Sequence, residues 1–299
     1  MATVHEARVR VQELIPRETA LRGFLGMVKW TLAHIRQRSY GSMWSFDFGS
    51  ASFDTVASYD TGTVDVTNGD TAITGNSTVW TSAMTGRKIR INNIVYTFTY
   101  VSGTSGTLDK SYVGDTDTAV NYIIYQDIYA LDGDSANDVR TVERLWDETN
   151  EVSLSAQDTL RLKSLDNSTA TSSVRTRYYS LEGRDSSNNP QLRVWPYPTD
   201  VARIRYFYTK RHTVPTAVGD TIDLPSYMDE CFHQGVYSRA LQVLRSGDWR
   251  DERNEFLRML EDQWVNDQPL RDQIIRFHRM EVPPPAFWKG NNTSLLIQG

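Results

Sequence analysis

Three acidic residues between positions 132 and 143 have the spacing of a calcium-binding loop. Asp132, Asp134 and Glu143 occupy the first, third and twelfth places of an EF-hand loop. Ala136 stands where that loop needs an oxygen ligand, and Asn137 stands where it needs its turn glycine. No helix pair is predicted around the segment. We therefore interpret it as a solvated acidic turn and predict no metal site.

Other residue pairs that could do chemistry are as readily explained by structure. Cys231 and His233 lie two places apart on a predicted helix, where their side chains diverge and make a poor ligand pair. Glu143 with Asp147 or Glu148 could form the carboxylate pair of a glycoside hydrolase, but ordinary surface charge has the same pattern. Motifs for phosphate loops, dinucleotide binding, zinc proteases and serine hydrolases are missing from the sequence. We predict no enzyme activity and no cofactor.

A basic cluster beside aromatic residues suggests contact with nucleic acid. It consists of Arg203, Arg205, Lys210 and Arg211, which flank the aromatic run 206–208. On a strand, however, alternate residues share a face, so the same pattern is typical of a half-exposed strand. The net charge of −5 also argues against a protein that holds nucleic acid by neutralising phosphates.

Length and composition set the broad class of the chain. Its 299 residues are 39% hydrophobic and 11% aromatic, enough for a full core and for two domains. The single cysteine excludes a disulfide framework. No apolar run approaches 18 residues, and the first twelve residues lack the apolar centre of a signal peptide. We expect a protein that matures in the cytoplasm and does not enter a membrane.

Helical periodicity marks both ends of the chain. Thr3 and Glu6 have the spacing of a capping box, and apolar stripes predict one helix before Pro16 and a second from about residue 18 to 38. Two further helices follow Pro225 and are separated by Gly247. So short a connection predicts an antiparallel hairpin, which we expect to pack on the N-terminal helices.

Short strands fill the region between the helices. From residue 61 to 125 the pattern has period two, with an Asn68-Gly69 turn and further Gly- and Asn-rich turns, which predicts a small β-barrel or sandwich. Strands near 176–181, 192–194 and 203–208 predict a second β unit. The predicted fold class is α+β: a helical bundle with a β unit, an inserted small β-barrel or sandwich domain and an extended C-terminal arm.

This pattern predicts four segments. Residues 1–58 are the N-terminal helices of a core, 59–127 the inserted β domain, 128–280 the remainder of the core, and 281–299 the arm. Three consecutive prolines prevent the arm from continuing a helix. Its apolar residues favour docking on a neighbouring molecule, with folding back on its own subunit as the open alternative. Those residues are Phe287, Trp288, Leu295, Leu296 and Ile297.

The order of these features resembles one family. A W-S-F-D-F segment, Tyr129-Ala130-Leu131, L-R-V-W-P-Y-P, I-R-Y-F-Y-T-K, D-L-P and a two-helix end together resemble the head-to-tail adaptors of tailed bacteriophages. These are head-completion or connector proteins that include the tail tubular A type. The segment G-T-V-D-V-T-N-G is similar to a small β domain that recurs in phage tail and adaptor proteins. One departure is Leu131-Asp132-Gly133-Asp134, where the family usually has L-P-x-D.

The resemblance implies a structural virion protein at the head-tail junction. It implies a homododecameric ring that binds the portal protein, connects the capsid to nozzle or tail-tube proteins and forms part of the channel through which DNA passes at genome ejection. Twelve copies at −5 each would carry about sixty negative charges, so that DNA would contact the ring only in passing. We expect the helices from 226 to 268 and the apolar residues of the arm to contact neighbours or the portal.

Functions of other classes remain open alternatives. A receptor-binding or baseplate module that binds carbohydrate would keep the β domain but would not need the helices. A cell-wall hydrolase acting at entry would need two essential carboxylates. A DNA-binding regulator is disfavoured by the charge.

Overall fold

The structure is a computed structural model that describes residues 3–14, 23–37, 43–133, 139–168, 172–173 and 175–279. Contacts between residues divide the chain into two units. The first unit combines both ends of the chain, Met1–Phe48 and His212–Gly299, and the second is Gly49–Arg211. The segment boundaries predicted at residues 58, 127 and 280 stay predictions.

Helices make up most of the first unit, and one short helix belongs to the second. The described α-helices are α1 (Val4–Leu14), α2 (Phe24–Gln37), α3 (Thr159–Ser168), α4 (Asp229–Val243) and α5 (Trp249–Arg279). The predicted capping box of α1 is confirmed, because Glu6 N–H donates to Thr3 Oγ1 at 3.1 Å and Thr3 N–H donates to Glu6 Oε2 at 2.8 Å. Within the described residues, no helix is long and apolar enough to span a bilayer.

The core of the first unit lies where α4 packs on both α2 and α5. Gly235 allows the close approach, since a Cβ atom there would lie 2.5 Å from Thr31 Cγ2 and 2.7 Å from Phe256 Cε2. The predicted antiparallel hairpin and its packing on the N-terminal helices are confirmed. Fully buried members of this core are Val28, Ile35, Trp44, Phe232, Val236 and Phe256.

Sixteen strands are described. They are β1 (Phe48–Asp54), β2 (Thr63–Val66), β3 (Ala72–Asn76), β4 (Lys88–Ile91), β5 (Ile94–Ser102), β6 (Ser105–Leu108), β7 (Asp117–Val120), β8 (Tyr122–Tyr125), β9 (Ile128–Ala130), β10 (Val139–Asp147), β11 (Val152–Ala156), β12 (Ser172–Ser173), β13 (Tyr178–Arg184), β14 (Pro190–Trp195), β15 (Tyr197–Pro198) and β16 (Arg203–Lys210).

These strands form two curled seven-stranded sheets and one two-stranded sheet. The first large sheet has the order β1-β16-β10-β11-β13-β14-β9, the second has the order β7-β2-β3-β6-β5-β4-β8, and β12 pairs with β15. Pairing is antiparallel at β10 with β16 and parallel at β11 with β13. Each large sheet has its own apolar core. The strands of the second sheet, β2 to β8, follow one another in the sequence. Those of the first sheet come before and after them in the sequence.

The predicted fold class is wrong. The described chain is mostly β, with two large sheets and a smaller set of helices, and it is not a helical bundle carrying a small barrel. The period-two pattern did correctly predict short strands between residues 61 and 125 and the Asn68-Gly69 turn between two of them. The error lay in the extent of the sheets, because several strands of the first sheet have weak local signals.

Two strands show why the first sheet was underestimated. β1 has the sequence FGSASFD, whose small residues have low strand propensity. It persists because Gly49 leaves room for Tyr208, whose Cζ atom would lie 2.6 Å from a Cβ atom at that position. β10 has the sequence VRTVERLWD and bulges against β16, so its alternation is irregular. Both strands therefore depend on partners that lie far away in sequence.

Candidate functional site

The carboxylates singled out in the sequence have structural roles or are exposed. Asp147 is fully buried, and its side chain accepts hydrogen bonds from the backbone N–H groups of Thr149 at 3.0 Å and Asn150 at 2.9 Å, so it stabilises a turn. Asp132 and Glu143 are exposed, and Glu143 lies within a strand rather than at the end of a loop between helices. Asp134 lies outside the described residues. In the described part of the chain, no group of three His, Cys, Asp or Glu residues could hold a metal ion.

Cys231 and His233 face different surroundings, as their spacing predicts. Cys231 is fully buried in the core of the first unit. His233 Nδ1 contacts Arg10 at 3.2 Å, and Arg10 in turn forms an ion pair with Glu230 at 2.6 Å. Burial, followed by the charge of Arg10, lowers the pKa of His233. The pair is therefore not arranged to bind a metal.

Three of the four basic residues contact other groups of the second unit. Arg205 Nε lies 2.5 Å and Arg203 Nε lies 3.4 Å from the carboxylate of Glu148. Arg211 donates to the backbone carbonyls of Val139 and Asn188. β16 has one buried face and one exposed face, as the half-exposed strand interpretation predicts. These contacts do not favour a nucleic-acid groove.

The predicted contact residues of the arm lie outside the described residues. They are Phe287, Trp288, Leu295, Leu296 and Ile297. The helix that leads to them, α5, ends at Arg279 and is described throughout its backbone. Within α5, side chains are described as far as residue 273.

α5 is much longer than its partner in the hairpin. It has 31 residues and α4 has 15, which correspond to lengths of about 46 Å and 22 Å at 1.5 Å per residue. The antiparallel register places Gln234 beside Glu252, 2.6 Å apart. The N-terminal end of α4, five residues before Gln234, is therefore reached near residue 257, within the first third of α5. Beyond that point Val265 and Leu270 are each 55% exposed.

Asp267 joins α5 to Ser45 and to Tyr227, which lies just before α4. Its carboxylate accepts a hydrogen bond from Ser45 N–H at 2.8 Å, a second from Ser45 Oγ and a third from Tyr227 Oη at 3.3 Å. Burial, followed by the charge of Asp267, raises the pKa of Tyr227 to about 12. Asp267 is only 3% exposed, so the inner face of the helix changes from apolar to polar at this turn.

Two residues of α5 on either side of Asp267, Trp264 and Arg271, make further contacts. Trp264 packs edge-on against Trp44, with 4.7 Å between the ring centroids. The guanidinium of Arg271 lies 3.8 Å from the centroid of the Trp264 ring. Trp44 itself is fully buried, and its indole N–H donates to Ile35 O at 2.9 Å. The part of α5 that carries Val265 and Leu270 is thus fixed on one side by contacts with Trp44, Ser45 and Tyr227.

Close to Trp44, His212 lies between the carboxylates of Asp47 and Asp223 and joins the segments that carry them. His212 Nε2 lies 2.6 Å from Asp47 Oδ1, and His212 Nδ1 lies 2.9 Å from Asp223 Oδ2. Asp47 also accepts a hydrogen bond from Trp44 N–H at 3.0 Å. Burial opposes the charge of His212, but the hydrogen bonds to Asp223 and Asp47 outweigh it, so the pKa of His212 is raised.

The polar groups of this arrangement hold segments of the first unit together. The carboxylates of Asp47, Asp223 and Asp267 are all engaged with donors, and no described serine or cysteine lies beside His212 as a nucleophile would. The sequence patterns did not single out Asp267 or His212. For Asp267 a signal existed, because it continues the helical stripe of Phe256, Leu260 and Trp264 and is therefore expected to be a buried carboxylate.

Comparison of the sequence with protein-family models and with curated proteins gives no match.

Proposed function

We propose that the chain is a structural protein of a tailed-bacteriophage particle, namely an adaptor at the head-tail junction. In this proposal copies of the chain form a ring, expected to have twelve subunits, that binds the portal protein on one side and nozzle or tail-tube proteins on the other. The channel of the ring would let DNA pass at ejection. The order of sequence motifs described above supports this assignment, and the described residues contain no constellation that supports catalysis instead.

The observation that carries the proposal is the pair of exposed apolar side chains on α5, Val265 and Leu270. Val265 and Leu270 are each 55% exposed. They lie on a part of α5 that is held in place by Asp267 and by the Trp44–Trp264 contact. Apolar side chains held on a rigid element are the usual basis of a protein–protein contact. A subunit of a closed ring needs such a surface, because each copy must contact two neighbours through different faces.

The apolar residues of the C-terminal arm extend the same proposal. Phe287 and Trp288 follow α5 closely in sequence, and three further apolar residues follow at positions 295–297. We infer that this segment contacts a neighbouring subunit or the portal.

Negative-stain images of the purified chain, alone and mixed with purified portal of the same phage, test the assignment. The expected result is a ring stacked on the portal; a ring without portal is not required, because the portal supplies the platform. A chain that stays monomeric in the presence of portal contradicts the proposal. Clearing of cell wall in a zymogram, or glycan binding by residues 61–127, would support the alternatives instead.

The arm is tested separately by deleting residues 281–299. We expect attachment to portal-bearing heads to weaken, and we expect the double substitution Phe287→Ser with Trp288→Ser to weaken it similarly. Lys289→Ala, in the same segment, is the matched control and should attach normally. Equal attachment of the deletion variant and the full chain would remove the arm from the proposal while leaving the ring itself open to the imaging test.

A further inference from the structure

A polar cleft of about 400 Å³ lies in the second unit, beside the chain segment that links β8 to β9. Arg87, Lys88, Gln126, Asp127 and Gln191 line it. Lys88 begins β4 in the second sheet, Arg87 directly precedes it, and Gln191 comes from β14 in the first sheet. The cleft therefore lies where the two large sheets meet within one unit. None of its residues was singled out by the sequence patterns.

The carboxylates near the cleft are already paired with cations. Asp127 is 5% exposed, its carboxylate lies 2.6 Å from Lys88 Nζ, and it also accepts a hydrogen bond from Arg193. Arg193 Nε donates to Glu182 at 2.6 Å, and Glu182 lies 3.2 Å from Lys163 Nζ. Burial opposes ionisation of Glu182, but the hydrogen bond and charge of Arg193 lower its pKa. The carboxylates of Asp127 and Glu182 are therefore both engaged by neighbouring cations.

Arg87 is a cation of the cleft that takes no part in this network of ion pairs. Its side chain is half-buried, and its Nε atom is enclosed without a hydrogen-bond partner among the described residues. No described carboxylate forms an ion pair with it, since Asp127 is taken by Lys88 and Arg193. An enclosed donor that lacks an acceptor is unfavourable, because it has given up water without replacement. If the guanidinium turned so that its Nε–H faced the cleft, a ligand with an acceptor atom would satisfy this donor.

The charges of the lining residues define what such a ligand would be. Arg87 and Lys88 contribute two positive charges and Asp127 one negative charge, which leaves an excess of one positive charge. A monoanion neutralises that excess, whereas a phosphate dianion would reverse it. A carboxylate is planar and fits the guanidinium edge through two parallel hydrogen bonds.

We propose that this cleft binds a carboxylate group, with Arg87 as the main contact and Lys88 and Gln191 beside it. The carboxylate has two possible sources, a small organic acid or an acidic side chain of a partner protein. The proposal does not depend on the adaptor assignment, since it concerns residues of the second unit and requires neither portal nor a ring.

NMR titration of the full chain tests the proposal by following the Nε–H signal of Arg87. One arm uses butyrate, a free monocarboxylate, and the other uses a blocked peptide that carries a single glutamate. We expect a saturable shift of the Arg87 signal, with binding at least ten-fold weaker in Arg87→Lys, which keeps the charge but lacks the planar edge. Saturation by butyrate identifies a small-acid site, and saturation by the peptide alone identifies a site for an acidic side chain.

Controls make each outcome decisive. Arg258→Lys changes an exposed arginine that is already paired with Glu255 and Asp262, so binding should be unchanged. Dispersed backbone signals verify that each variant folds. The proposal is overturned if neither probe moves the Arg87 signal, if Arg87→Lys binds as tightly as the parent chain, or if inorganic phosphate binds more tightly than both carboxylates.

Discussion

His212 and Asp47 are joined by a 2.6 Å contact between Nε2 and Oδ1, while the other ring nitrogen of His212 contacts Asp223 at 2.9 Å. An imidazole can donate through both nitrogens only when it is protonated. The neutral ring would place a lone pair against one of the two carboxylates. The charge of Arg36 is the one described influence, besides burial, that opposes protonation.

The contact predicts a particular pH dependence of stability. Because the pKa of His212 is raised by folding, its contribution is fully present below the unfolded value near 6.5 and is lost as pH rises through the folded value. We expect His212→Gln to cost about 1–2 kcal/mol at pH 6 and less at pH 9, as measured by urea unfolding. His233→Gln is the control with the opposite sign, since folding lowers the pKa of His233. A cost for His212→Gln that grows with pH would contradict the protonated clamp.

Gly235 should be intolerant of even one added carbon. We expect Gly235→Ala to destabilise the chain by about 1–3 kcal/mol, because its Cβ atom would lie 2.5 Å from Thr31 and 2.7 Å from Phe256. Gly26→Ala is a matched helical control with no atom within 4 Å of the added carbon, so it should be neutral or stabilising. Urea unfolding of both variants measures the difference. Similar effects of the two substitutions would argue against a tight crossing at Gly235.

Removal of Asp127 should expose the cost of an unpaired buried charge. Asp127→Ala would leave Arg193, which is 7% exposed, without one of its two carboxylates, and we expect a loss of about 3–5 kcal/mol in the free energy of unfolding. Glu255→Ala breaks a solvent-exposed ion pair with Arg258 and should leave the denaturation midpoint unchanged. Equal midpoints for the two variants would show that the buried network contributes nothing.

Asp267 should control local opening at the base of α5. Because Ser45 N–H donates to Asp267 at 2.8 Å, we expect Asp267→Ala to accelerate hydrogen exchange of the Ser45 amide by at least ten-fold. Asp262→Ala removes an exposed carboxylate of the same helix and should leave that amide unaffected. Exchange followed by NMR measures both. An unchanged rate in Asp267→Ala would mean that other contacts hold the base of the helix.

The features that sequence analysis predicted correctly are local ones. The capping box joins Thr3 and Glu6, three residues apart, and the Asn68-Gly69 turn joins neighbouring strands. The hairpin of α4 and α5 was likewise predicted from the short connection at Gly247. Each of these depends on residues close in sequence, so the pattern alone carries the information.

The features that were missed depend on distant partners. His212 and Asp47 are 165 residues apart, and Asp127 lies 66 residues from Arg193. The strands β1 and β10 are likewise fixed by pairing within the first sheet rather than by their own composition. No local periodicity reports such pairings, which explains why a mostly β chain was predicted to be a helical bundle.

Immunogold electron microscopy of phage particles, with antibodies raised against the purified chain, tests the adaptor assignment most directly. The account predicts gold at one vertex of the head, where head and tail join, and no gold on tail fibres or on the tail tip. Labelling of the fibres or the tip, or particles that contain none of the chain, would contradict it.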